Sequence, residues 1–296
     1  MSHFTKLSIA IMLFLVSFAF AQAPVDEYSI KFTGTHTAML VGADGIIMKT
    51  TNNGIVWEEQ TSNVTNLLLG NSSKNGLSVV AGENGVILRS VDNGANWDVI
   101  IPGTLENLND AEVLDFNHAV VCGDNGIILV TSDAGLTWDS SSSVVSINLK
   151  DIKFVSSSVG FITGDLGTLL KSVDGGLSWS EIDMSFTNNS FNAIEAIDEY
   201  NLVLVGDLGT VFLSNNGGES WFGPSGVTYE DNFNDVVFFS SNDGVIAGDN
   251  GLILKTVDGG YTWAPAVMTF LGQYDLYSVA FEDINYGISI GKDGMD

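Results

Sequence analysis

Residues 149–182 read LKDIKFVSSSVGFITGDLGTLLKSVDGGLSWSEI, and this stretch decides the fold. It divides into four short segments suited to strands. Residues 151–155 alternate apolar and polar, 159–163 run up to Gly164, 168–172 come after a Gly-Asp-Leu-Gly turn, and the fourth segment begins near Trp179. Leu169 and Leu170 are adjacent and both apolar. Neighbours on a strand point to opposite faces, so both faces of this small sheet must be buried.

The unit recurs. A Gly-x-x-Gly element opens at Gly42, Gly82, Gly123, Gly164, Gly206, Gly248 and Gly291, at intervals of 40 to 43 residues, and a tryptophan follows fifteen residues after the first six. The paired apolar residues of the third strand recur as Ile47-Met48, Ile87-Leu88, Ile128-Leu129, Val211-Phe212 and Ile253-Leu254. A four-stranded unit that is apolar on both faces cannot stand alone and must lie between two neighbours. Radial stacking achieves this for every copy and leaves only short edges. The predicted fold is therefore all-β: one seven-bladed β-propeller of four-stranded antiparallel blades. Blade limits fall near 28–62, 63–105, 106–145, 146–186, 187–228, 229–270 and a partial 271–296. The seventh copy stops where its third strand should start, and the first copy, complete from Tyr28, offers it no spare strand. The expectation is a chain ending inside blade seven; the alternative is a six-bladed ring with a half-blade appended.

Between strands three and four, each complete copy carries Ser/Thr-x-Asp/Asn-x-Gly-x-x-Trp. The marked residues are Asn52, Gly54 and Trp57; Asp92, Gly94 and Trp97; Asp133, Gly135 and Trp138; Asp174, Gly176 and Trp179; Asn216, Gly218 and Trp221; and Asp258, Gly260 and Trp263. The side-chain oxygen can accept backbone N–H groups inside the turn, the glycine supplies a positive φ, and the indole fixes the hairpin against the blade. This resembles the BNR/Asp-box repeat. With the preceding Gly-Asp-x-Gly turn, the unit is similar to photosystem II assembly/stability factor-like propellers. The resemblance implies a braced propeller, with the Asp-box turns on the face opposite the usual ligand side.

No enzyme constellation accompanies the repeat, and no catalytic residue is predicted. Sialidases share the Asp-box but need an arginine triad for the substrate carboxylate. This chain has one arginine, Arg89, at a third-strand position held elsewhere by Lys49, Val130, Lys171, Leu213 and Lys255. Xyloglucanase-type glycosidases need only two acids across a cleft, but that resemblance implies two paired propellers, and the chain has room for one. There is no His/Cys cluster for a metal and no dinucleotide fingerprint, so no cofactor is expected. Cys122 sits alone in an apolar run, as a small buried hydrophobe would.

Residues 1–21 read as a signal peptide: Lys6 supplies the positive region, 7–20 are apolar, and Ala19-Phe20-Ala21 is a small-x-small cleavage site. Residues 22–296 would form the single mature domain, secreted, periplasmic or at the cell surface. No later stretch reaches the ~20 apolar residues of a membrane span. The formal charge is −26, which disfavours nucleic acid as a partner.

With strand one nearest the axis, the Gly-x-x-Gly turns and the blade-to-blade connections share the ligand face. The turns offer an acidic rim of Asp44, Glu83, Asp124, Asp165, Asp207 and Asp249. The connections add Phe222, Tyr229 and Tyr274. The predicted function is an exported, non-catalytic protein-interaction or assembly module, with a basic partner if the rim is used. The alternative is a carbohydrate-binding or glycoside-hydrolysing propeller.

Overall fold

A computed structural model describes residues 17–19, 26–225, 227–266, 274–283 and 285–293; at 17–19, 274 and 292–293 the description is confined to the backbone. The chain is an all-β propeller of antiparallel blades with strands in sequence order. Blade 4 shows how the sequence pattern becomes structure. Its strands are Leu149–Phe154, Gly160–Gly164, Leu169–Ser172 and Ser180–Glu181, each paired with the next. The second strand is buried from end to end, as are Leu169 and Leu170 in the third. Buried faces on both sides are what packing between two neighbouring blades requires.

Among the described residues, blades 1, 2, 3, 4 and 6 have four strands, whereas blade 5 has three. There Phe222 exchanges two backbone hydrogen bonds with Leu213 as a lone bridge in place of a fourth strand. Pro224 comes two residues later and has no N–H with which to extend the pairing.

Where a seventh blade is expected, the described residues build a sheet around the hairpin Tyr274–Asp283 and Tyr286–Asp293, so six blades are formed. The expectation that the N-terminal segment adds no strand is also corrected. Ser17–Ala19 runs parallel to Tyr286–Ile288, satisfying part of an edge whose N–H and C=O groups otherwise lack a ladder. The rest of the predicted signal peptide and its cleavage site lies outside the described residues.

The hairpin packs against both of its neighbours. Ala280, Ile288 and Ile290 share a core cluster with Ile30 and Leu40 of blade 1, while Leu276 and Val279 cluster with Val245 and Ile253 of blade 6. His36 joins Glu282 at 3.0 Å across the blade 1 boundary. The Glu282 carboxylate, followed by the Asn53 amide, raises the pKa of His36.

A second set of bonds runs round the axis. Residues of the first strands reach into the following blade: the Asp110 carboxylate accepts the N–H of Ile152, Asp151 that of Ile194, and Asp235 that of Val279. The Ser278 hydroxyl accepts the N–H of Ile30 at 3.4 Å, so the hairpin continues this stapling into blade 1.

Candidate functional site

The Asp-box turns share a Ser/Thr hydroxyl that accepts the glycine N–H, and in blades 3 and 4 the indole N–H adds a further bond. In blade 4 the Ser172 hydroxyl accepts the Gly176 N–H at 2.9 Å and donates to Asp174 Oδ1 at 2.8 Å. That carboxylate also accepts the Ser178 N–H at 3.0 Å and, on Oδ2, the Ser178 hydroxyl at 2.6 Å. Trp179 closes the turn by donating to the Gly176 carbonyl at 3.1 Å, while its ring meets Phe154 edge-on. The buried Ser/Thr hydroxyl is thus the hub of the turn, and its recurrence two residues before Asp/Asn was the signal for that role. The hydrogen bond from Thr137 holds the Asp133 pKa down at about 2, and the one from Ser178 lowers that of Asp174.

Carboxyls with depressed folded pKa values contribute stability above their unfolded values, and that contribution disappears as pH falls through the folded ones. Thermal unfolding scans are therefore expected to show the midpoint falling steadily between about pH 4 and pH 2. A control with Asp92, Asp133, Asp174 and Asp258 all changed to Asn should lose the part of this slope due to the turns.

Third-strand cations connect the Asp-boxes of blades 2, 3 and 5 to the preceding blade. Lys49 Nζ donates to the Asn93 carbonyl at 2.6 Å and Lys171 Nζ to the Gly217 carbonyl at 2.7 Å. Arg89 Nε donates to the Ala134 carbonyl, and its guanidinium pairs with Asp98 at 2.9 Å. Arg89 is therefore a buried strand residue that locks blades 2 and 3, consistent with its place in the repeat. On the hairpin the Tyr286 hydroxyl plays the same part, donating to the Asn53 carbonyl of blade 1.

The opposite face carries the mouth of the central channel, a cavity of about 90 Å³ lined by first-strand residues of every blade and the hairpin. Tyr28 and Tyr277 stack with centroids 5.1 Å apart on one side. Elsewhere Asn109, Asn192 and Asn234 each bridge two neighbours, donating to Asp124, Asp207 and Asp249 of their own blades and to the Leu149, Phe233 and Leu276 carbonyls of the next. Lys150 pairs with Asp165 at 2.8 Å and donates to Asn192 at 2.9 Å.

Deeper in the channel, Lys153 pairs with Glu195 at 2.8 Å. Burial opposes the charge of Lys31, yet Asp235, Asp110, Asp151 and Glu112 outweigh it and raise the lysine pKa. Burial, followed by the charge of Asp151, raises the Asp110 pKa well above the usual carboxylate range. These acids are inter-blade staples as well as charges, since Asp110, Asp151 and Asp235 all hold a neighbouring N–H.

The predicted rim separates on this face. Asp124, Asp165, Asp207 and Asp249 occupy one equivalent position, half-buried and bonded to first-strand partners. Glu83 shares that position. Asp44 does not: it is exposed at the next position, with φ 55°, and Ala43 takes the rim slot. The left-handed slot holds Asn84, Asn125 and Asn250 in three other blades, but Leu166 and Leu208 in blades 4 and 5, both 64% exposed. Tyr229 packs against Phe233, with its carbonyl beside the Gly209 turn. Phe222 lies instead at the blade 5 bridge, against Tyr261 of the next Asp-box. The Tyr274 side chain lies outside the described residues. The first-strand Asn-Asp pairs 109–110 and 234–235 were readable as repeated positions once the copies were aligned on strand one.

Among the described residues no group of three His, Cys, Asp or Glu side chains is placed to hold a metal, and no helix is long and apolar enough to cross a membrane. Cys122 is fully buried.

Fold and turns together define a BNR-type propeller. The family model for the photosynthesis system II assembly factor YCF48 matches residues 16–140 and 101–227, and the chain belongs to that family. Comparison with curated protein sequences gives no match. Among solved structures, one described as YCF48 bound to D1 peptide is 20% identical, with a TM-score of 0.76 over 91% of this chain and 90% of the other. YCF48 from Cyanidioschyzon merolae is 21% identical, TM-score 0.76, over 93% and 95%. A GH74 xyloglucanase from Xanthomonas campestris is 12% identical, TM-score 0.75, over 91% of this chain and 51% of the enzyme. At these identities the structural likeness is one of fold alone.

Proposed function

We propose that this chain is an exported, non-catalytic propeller serving as a protein-interaction or assembly module, with its partner seated on the channel face. The observation that carries the reading is family membership joined to this face's composition. First strands from every sheet converge there, and the paired rings of Tyr28 and Tyr277 line the same cavity as Asp110, Asp151 and Asp235. Aromatic faces beside carboxylates suit a partner segment carrying lysine or arginine. The similar YCF48 structure described as bound to D1 peptide supports a protein as the class of partner. The hairpin 274–293 belongs, in this reading, to a seventh blade, because it continues the staple through Ser278 and Ile30. Residues 1–21 act as the export signal in this reading, and the pairing of Ser17–Ala19 with Tyr286–Ile288 belongs to the chain before cleavage.

The rim carboxylates are structural as well as acidic, so reversing their charge would disturb the blade contacts. The test therefore uses the tyrosines. Peptides are selected from a random library on the mature protein, and affinities are measured for wild type and for Tyr28→Ala with Tyr277→Ala. A loss of about tenfold or more, with the thermal midpoint close to wild type, is expected. Unchanged affinity would move the site elsewhere, and a failure to select any peptide would overturn the reading.

A further inference from the structure

We infer that the cleft between blades 1 and 2, on the Asp-box face, is a binding site for a small hydroxylated carboxylate of the uronic acid class. Its origin lies in one departure from the repeat. Where the first strand meets the second, facing positions hold Phe32 and Ala38 in blade 1, Val113 and Ala119 in blade 3, and Phe154 and Gly160 in blade 4. The later copies hold Ala196 and Leu202, Phe238 and Gly244, and Phe281 and Gly287. Blade 2 alone has a polar pair, Ser73 facing Ser78, with hydroxyls 2.7 Å apart. In blade 4 the Phe154 ring occupies the boundary with blade 3, close to where Val120 meets Gly176. With serine in that position, the boundary between blades 1 and 2 stays open as a cavity of about 240 Å³. That is room for about eight waters at roughly 30 Å³ each, the scale of a monosaccharide.

The lining decides the ligand's charge. Of ten lysines and arginines in the whole chain, Lys49 and Lys74 both line this cavity. Among the described residues no Asp or Glu does, in a protein with 36 of them. Lys49 Nζ is anchored at the cleft by the Asn93 carbonyl and keeps two further N–H donors. Lys74 is exposed at the rim. The charge of −26 on the molecule as a whole is screened beyond about 8 Å at physiological salt, so the local pair of ammonium groups governs a ligand in contact with them.

The remaining polar lining decides the ligand's body. Thr33, Thr37, Thr51, Ser73 and Ser78 all line the cavity, with the two serine hydroxyls bonded to each other and the Thr37 hydroxyl donating to the Thr35 carbonyl. A hydroxyl can both donate and accept, which suits vicinal hydroxyl groups, and among the described residues no aromatic ring lines the cavity to favour a flat apolar ligand. A polar cavity made by breaking the apolar rule of the repeat is where function rather than folding is expected to have chosen the residues.

The test is calorimetric titration of the full chain with glucuronate, glucose and glutamate. Saturable glucuronate binding is expected, about tenfold or more tighter than either glucose, which lacks the carboxylate, or glutamate, which lacks the hydroxyls. Lys74→Gln should weaken it by about fivefold and flatten its salt dependence. Ser73→Phe with Ser78→Gly installs the pair found in blades 4 and 6 and in the hairpin, and should abolish binding while the thermal midpoint stays at or above wild type. If that double variant loses its folded signal, Ser73→Leu serves as the second filling variant, with the same loss expected. No saturable glucuronate binding by about 10 mM, equal binding of glutamate or glucose, or binding that survives a folded filling variant would each overturn the inference.

Discussion

Replacing Trp179 with alanine is expected to lower the unfolding free energy by about 3–5 kcal/mol. The ring is 4% exposed, meets Phe154 at 5.9 Å, and shares a cluster with Val120 and Cys122 of blade 3 as well as Ile152, Ile162 and Leu170 of its own blade. Removing it opens a cavity at a blade boundary and leaves the Gly176 carbonyl without its indole donor. The surrounding strands are anchored by ladders on both sides and cannot collapse into the void. Denaturant unfolding should report the loss, and a midpoint drop of roughly 6–20 °C should accompany it in a thermal scan. Trp57, which is only half-buried, should cost clearly less when truncated in the same way.

The second large effect is expected at Gly126, the closing glycine of the blade 3 turn. Its φ is +74°, and a Cβ there would lie 2.1 Å from the Val145 carbonyl oxygen, which is backbone and cannot rotate away. Gly126→Ala should therefore combine left-handed strain of about 1–2 kcal/mol with forced separation of the turn from the next blade connection, for a total near 4 kcal/mol. Gly103→Ala is the control. Its φ is +89°, but a Cβ there meets nothing within 4 Å, so only the conformational cost should be seen. Equal losses at the two sites in denaturant titrations would show that close approach between blades is not what the glycine serves.

The fold was legible because it is a repeat. The spacing from Gly164 to Trp179 and the adjacent apolar residues Leu169 and Leu170 fix strand, turn and two-sided burial, and the structure places them accordingly. Blade 5 was less legible, since its Asp-box and Trp221 match the others while its fourth strand is a single bridge at Phe222. Pairing there depends on the residues beyond Trp221, Pro224 among them, which the shared pattern does not encode.

The candidate site was only partly legible. Turn acids such as Asp124 and Asp207 were visible as a rim, but their partners Asn109 and Asn192 lie fifteen residues earlier on another strand. A sequence read turn by turn does not bring such residues together. Asp44 shows the converse error: one residue of phase within the Gly-x-x-Gly turn separates an exposed left-handed position from a half-buried bonded one. The cleft at Ser73 and Ser78 was hidden for a related reason, because the consensus drew attention to what the copies share.

The central claim is that a protein partner engages the channel face and that the Asp-box face serves mainly as brace. Hydrogen exchange of the mature protein, with and without a peptide selected on it, tests this most directly. Protection is expected at the Gly-x-x-Gly turns and the starts of the first strands, including residues 26–29, 107–110 and 148–151. Protection confined to the Asp-box hairpins, at residues 131–138 and 172–179, would contradict it.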